Sequence, residues 1–395
     1  MQRYIGLMSG TSRDAVDAVL IELRNPDRVR VTAHCQLAYP DGLARELEVA
    51  ATAEGMSYQA LGTLDARVGM HFARAARRLL EQAGLQAANV RAIGTHGQTI
   101  HHSPQSQPPF TWQIGDPFRI AETTGIDTVA QFRQRDIAAG GQGAPLASAF
   151  HAACLGHPGR SRAILNIGGI SNITWLQPGA PVIGFDCGPG NTLLDGWIRC
   201  HRGVAFDADG AWARAGSPDT ELLARLSNDP FFALAPPRST GPEYFSPTWL
   251  RERGGKVLER LPAEDVQATL LELTIAGIRS SLETLDAQPE DLLVCGGGAH
   301  NGYLMERLAQ TFPGSVVEPT DPHGIPAQQV EGAAFAWLAA RTLARQSGNL
   351  PEVTGARGPR ILGCLIPGTG PDNGAGHDDS RGSSSNPGTT AGASD

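Results

Sequence analysis

The sequence runs to 395 residues, 41% of them apolar and 18% charged, with a formal net charge of −8. Single cores stop growing near ~250–300 residues, so two domains are expected. The acidic balance offers no basic stripe for a phosphate backbone, which argues against a nucleic-acid partner, and six scattered cysteines without CxxC or histidine at ligand spacing argue against zinc and read as thiols of a reducing cytosol.

The first residues pass straight into a strand-like run with no signal-type apolar stretch, and the longest apolar helix stretch, 332–340, is far short of the ~20 residues that span a bilayer. A cytoplasmic protein with no membrane role is expected. Tyr4–Met8 and Ala18–Glu22 read as strands around the polar turn Ser9-Gly10-Thr11-Ser12-Arg13-Asp14, which continues into Ala15-Val16-Asp17. Periodicity of three and four predicts a helix over Tyr58–Ala83, and Val90–Thr95 reads as a strand ending at His96-Gly97-Gln98. The strand–turn–strand unit recurs at Arg162–Leu176, around Asn166-Ile167-Gly168-Gly169, which points to a duplicated domain. Next come Gly184-Phe185-Asp186-Cys187-Gly188-Pro189-Gly190-Asn191, read as a strand end entering a turn, and a helix over Thr192–Arg199. Further helices are predicted at Gln267–Leu285 and Ala327–Arg345, with a strand at Leu292–Cys295 leading into Gly296-Gly297-Gly298 and Asn301 as a helix cap. Alternation of strands and helices makes the class α/β. Pro367–Asp395 holds no Val, Ile, Leu, Met or aromatic residue and is expected to be a disordered tail.

Phosphate recognition needs close backbone N–H groups, hydroxyls and a carboxylate for a metal, and the 6–17 segment supplies all three. Alone it reads more readily as an exposed hairpin turn. A matched pair of such turns can close on a polyphosphate from two sides, and Gly296–Gly298 would let a purine or ribose approach the backbone. Asp186, following the second hairpin, is then placed to take the acceptor's proton in a phosphoryl transfer that also uses Mg²⁺. His96, Gln98, Arg133 and Glu331 carry groups suited to sugar hydroxyls, a carboxylate or an amide.

Taken together, Gly10-Thr-Ser-x-Asp14, Thr95-His-Gly-Gln-Thr, Gly140-Gly-Gln-Gly-Ala-Pro, Asn166-Ile-Gly-Gly, Phe185-Asp-Cys-Gly-Pro-Gly-Asn191, Ser239-Thr-Gly241 and Cys295-Gly-Gly-Gly298 closely resemble anhydro-N-acetylmuramic acid kinases, in order from about Arg3 to Pro367. The resemblance implies two ribonuclease-H-like domains of the actin-like ATPase type around a central cleft: 1–130 completed by 333–366, and 131–332. It also implies ATP-dependent phosphorylation of 1,6-anhydro-N-acetylmuramic acid with opening of the anhydro ring, in cell-wall recycling, by a homodimer. Asp186 would be the base; Gly10–Asp17, Asn166, Gly168, Gly169 and Gly296–Gly298 would hold ATP; Mg²⁺ would lie near Asp14 or Asp17; His96, Gln98, Arg133 and Glu331 would bind the sugar. A non-catalytic nucleotide-binding clamp and a kinase for another amino sugar are the alternatives. Departures from the family pattern fall at Arg13, Ala15, Gln131 and Pro242, and Ala15 would be strained by about 1 kcal/mol if its position needs a left-handed backbone.

Overall fold

The computed structural model describes residues 1–10, 12–25, 28–52, 56–241 and 243–369. Thr11, Pro242 and the expected tail from 370 onward lie outside the described residues. Strands β1 (Gln2–Met8), β2 (Ala15–Asn25), β3 (Arg28–Ala38) and β4 (Ala92–Thr95) are followed by a ribbon of β5 (Gln98–Ser103) and β6 (Phe110–Ile114), then β7 (Thr128–Ala130). A second series holds β8 (Arg162–Ile167), β9 (Ile170–Leu176), β10 (Ile183–Pro189), β11 (Asp291–Cys295) and β12 (Val316–Pro319). The last strand, β13 (Cys364–Ile366), returns to the first sheet and pairs antiparallel with β7.

The sheet orders are β13-β7-β4-β1-β2-β3 and β10-β9-β8-β11-β12. In each, the first two strands form an antiparallel hairpin, the third pairs antiparallel with the second, and the fourth and fifth extend parallel from the first. This mixed 3-2-1-4-5 arrangement is ribonuclease-H-like, and the chain makes it twice.

The central strand of the first sheet is buried on both faces, which is why it reads as a continuous apolar run rather than an alternating one. Period two separates its partners. Ile5 and Leu7 join the core made with Leu64, Val68 and Phe72 of the Tyr58–Ala83 helix, while Tyr4 and Met8 face the helix Val330–Leu343. Gly6 lies on the latter face, and a Cβ there would overlap the Gly332 carbonyl; one at Gly94 would overlap that of Phe335. Two backbones therefore touch where side chains would normally separate them. The same helix shares its core with Phe150, Ile164 and Leu293, so it is packed between the two sheets. The boundary expected between 332 and 333 falls inside this continuous helix.

The Tyr58–Ala83 helix has the predicted ends, set by Ser57, whose side chain accepts from the Ala60 N–H, and by Gly84 at φ 64°. The other predicted helices are displaced by a few residues, to Ala263–Thr284 and Val330–Leu343, the latter after a 3-10 turn over Ala327–Gln329. Packed structure also reaches past Pro367, because the Gly368 N–H donates to the Asp127 carboxyl at 3.1 Å.

Candidate active site

The first turn is held from behind. Ser9 Oγ lies 2.7 Å from Gln98 Oε1 and 2.9 Å from the Ala15 carbonyl, and Gln98 Nε2 donates to the Gly10 carbonyl at 3.2 Å. Gln98 is thus buried and committed to the loop. Ala15 is not strained, because it opens β2 in extended pairing with Ala38; the left-handed residue is Arg13, at φ 54°. Gln131 is the second family departure that takes this conformation, at φ 59°. Asp14 accepts from the Ser12 hydroxyl at 2.7 Å, and Asp17 accepts from Gln36 at 3.1 Å.

The second turn is pinned to the helix Asn191–Arg202: the Asn191 N–H donates to the Gly168 carbonyl at 2.8 Å, and the Gly190 and Thr192 N–H groups donate to that of Gly169. Asn166 stands at the end of β8, with Nδ2 3.5 Å from Glu331 Oε1. The third glycine cluster packs on this hairpin. A Cβ at Gly296 would press on Asn166 and Ile167, and one at Gly298 on Ile167, so two of the three glycines have a packing reason independent of a purine; Gly297 alone has room. Asn301 does cap the next helix, Gly302–Thr311, accepting from the Leu304 N–H at 3.0 Å.

Asp186 lies within β10 rather than in a turn after it, at a bulge where Cys187 has no partner in β9. Bulges re-aim side chains. A loop the sequence reading left without a role grips it: the Asp186 N–H donates to the Arg238 carbonyl at 3.1 Å, Arg238 Nε donates to the Asp186 carbonyl at 3.0 Å, and the Thr240 N–H donates to the Asp186 carboxyl at 2.8 Å. Burial pushes that carboxyl up to about 7, against the Thr240 bond and the facing Arg133 and Arg238, with Glu243 adding to the rise. Arg133 in turn donates through Nε to His96 Nε2 at 2.9 Å and through Nη1 to the Gly143 carbonyl at 2.7 Å.

The carbonyl of Gly143 is itself fixed by Asp136. This fully buried carboxyl accepts from the Gly143 N–H at 2.8 Å, Asn349 Nδ2 at 2.7 Å and the Thr354 hydroxyl at 2.8 Å. Asp136→Ala strands the Gly143 N–H and an Asn349 N–H, leaves the Thr354 hydroxyl only its 3.4 Å contact with the Leu350 carbonyl, and should cost about 3 kcal/mol, since each buried unpaired group is worth ~1–3 kcal/mol. A denaturant midpoint within error of the parent would contradict this.

Charge links the two hairpins to Asp186. Burial raises Asp17 to about 6, opposed by its Gln36 bond and reinforced by Asp14 and Glu331; burial likewise raises Asp195 to about 7, with Arg199 opposing and Asp14 and Asp207 adding. Glu331 is raised by burial and restrained by Arg133 and Asn166. Asp14 thus lies within electrostatic reach of Asp17 and Asp195, Asp17 of Glu331, and Arg133 of Glu331 and Asp186. Among the described residues no three His, Cys, Asp or Glu side chains close on a common metal position. Among them, too, no helix is long and apolar enough to cross a membrane. Asp195 was missed in the sequence; its spacing of four from Asn191, one helical turn, is the signal that could have found it.

Twin ribonuclease-H-like sheets, with a polar glycine turn in each hairpin, give the chain the architecture of an ATP-using phosphotransferase. The family model for anhydro-N-acetylmuramic acid kinase matches residues 2–368. The chain is 54% identical over 373 residues to the anhydro-N-acetylmuramic acid kinase of Pseudomonas paraeruginosa, covering 93% of this chain and 99% of that one. It is 49% identical over 371 residues to the enzyme of the same name from Xanthomonas oryzae pv. oryzae, covering 92% and 97%. The chain belongs to the anhydro-N-acetylmuramic acid kinase family, whose ATP-dependent activity serves peptidoglycan recycling. Among solved structures, the activator of 2-hydroxyisocaproyl-CoA dehydratase from Clostridium difficile aligns over 87% of this chain and 96% of its own, at 13% identity and a TM-score of 0.45.

Proposed function

We propose that Asp186 is the base that couples opening of the 1,6-anhydro bridge to phosphorylation of O6. The carrying observation is the Asp186 carboxyl at the β10 bulge, fixed by the Thr240 N–H at 2.8 Å, facing Arg133 and raised to about 7. In the anhydro-sugar O6 is bonded to C1, so it cannot attack phosphorus until that bond breaks. Asp186 takes a proton from water, whose oxygen bonds to C1; the C1–O6 electron pair passes to O6, which bonds to the γ-phosphorus as ADP leaves. A base near pKa 7 is substantially ionised at neutral pH yet still accepts a proton readily.

The phosphates of ATP would lie between the turn at Gly10–Asp17 and that at Asn166, Gly168 and Gly169, with Gly297 toward the nucleoside. Mg²⁺ would arrive with ATP and offset phosphate charge; Asp14, Asp17 and Asp195, acidic groups that repel one another, are the residues that would hold it. Arg133 and Glu331 are the sugar-side groups, while Gln98 acts on the first loop. The two units, divided ahead of the helix Val330–Leu343 rather than within it, would close on the ligands, in a cytoplasmic homodimer.

The test is turnover with ATP, Mg²⁺ and anhydro-N-acetylmuramic acid in ¹⁸O-labelled water. The expected product carries one ¹⁸O, at the anomeric carbon, and none in its phosphate. Label in the phosphate, or an unlabelled product, refutes the coupled step.

A further inference from the structure

His96 is buried, and both of its ring nitrogens are engaged. An arginine Nε–H can only donate, so Nε2, 2.9 Å from Arg133 Nε, must be the bare acceptor nitrogen. The proton then sits on Nδ1, which donates to the Gly97 carbonyl at 2.9 Å. Phe335 covers the ring, with centroids 4.7 Å apart, and the charges facing it are those of Arg133 and, when protonated, His102. A ring so placed has no free N–H for a sugar hydroxyl and no free lone pair for a proton.

We infer that His96 is a positioning residue: a neutral Nδ1–H imidazole that, with the Gly143 carbonyl, orients the Arg133 guanidinium toward Asp186 and Glu331 and does not touch the substrate. Two acceptors fix Nε and Nη1, which sets the guanidinium plane. The groups facing Asp186 are Arg133, Arg238 and Glu243, and of these Arg133 is the one whose placement depends on His96. Loss of that placement weakens the attraction holding the Asp186 carboxylate ionised, so the acidic limb of activity moves to higher pH.

This deepens the reading of Asp186 as base, and two measurements separate the ideas. Long-range ¹H–¹⁵N spectra of the full chain should give His96 as the Nδ1–H tautomer from pH 5.5 to 8, unchanged when anhydro-sugar is added. An Nε2–H tautomer, an imidazolium at pH 6 or a ring shift on sugar binding overturns the inference, whether or not Asp186 is the base. In parallel, H96L should move the acidic limb of kcat/KM upward by at least half a pH unit with little change in the KM for ATP, whereas in H96Q the Oε1 acceptor stands near the place of Nε2 and should restore the limb. A limb unmoved in H96L, or moved equally in both variants, also overturns it. Circular dichroism confirms that each variant is folded.

Discussion

Asp186→Asn is expected to lower turnover by about 10²–10⁴-fold, the usual contribution of a positioned base, while ATP binding persists. The substitution preserves the shape of the side chain and an acceptor for the Thr240 N–H, so what it removes is the ability to hold a proton. Steady-state rates and calorimetric ATP titration are the measurements; near-parental turnover would disprove the assignment. For the parent enzyme, activity should rise through an acidic limb near pH 7, because the working form is the carboxylate and its pKa stands at about 7. Stability runs the other way. A carboxyl raised from 3.8 to about 7 favours its protonated form in the fold, so its stabilising contribution is complete below 3.8 and is lost as pH rises through 7. The Asn variant, neutral throughout, should therefore melt above the parent at pH 8, with the difference closing toward pH 4. The residue is kept at a cost in stability that its chemistry explains.

Gly6→Ala should cost about 3 kcal/mol or more, at or beyond the upper end of the range usual for an overpacked core. The added methyl would occupy the place of the Gly332 carbonyl, with the Ala336 nitrogen also inside contact distance, and these are backbone atoms that cannot swing aside as a side chain can. The whole Val330–Leu343 helix must move. Since Glu331 is next to Gly332 on that helix, sugar-dependent turnover should fall further than ATP affinity. Gly94→Ala should act alike through Phe335, and the pair should be less than additive because one helix shift relieves both clashes. Gly62→Ala is the control: it lies exposed on the Tyr58–Ala83 helix with nothing near its absent Cβ, and should stabilise by ~0.5–1 kcal/mol. Equal chemical-denaturation midpoints for Gly6→Ala and Gly62→Ala would contradict this account of the packing.

Local pattern carried much of the architecture. Apolar runs broken by glycine turns announced both hairpins, a period of three and four announced the Tyr58–Ala83 helix, and the motifs of the family resemblance singled out Asp186. These are readable because propensity and periodicity act over a few residues. What the sequence did not reveal is how distant groups divide their hydrogen bonds. Arg238 and Thr240 meet Asp186 from 52 and 54 residues away, Arg133 meets His96 across 37, and Asn166 meets Glu331 across 165. Until those partners are known, His96 reads as a sugar ligand, the three glycines of 296–298 as a purine platform and Ala15 as the strained residue. Tertiary contact reverses or narrows each reading, because a donor spent on the scaffold is unavailable to a ligand and backbone strain falls where neighbouring pairing forces it.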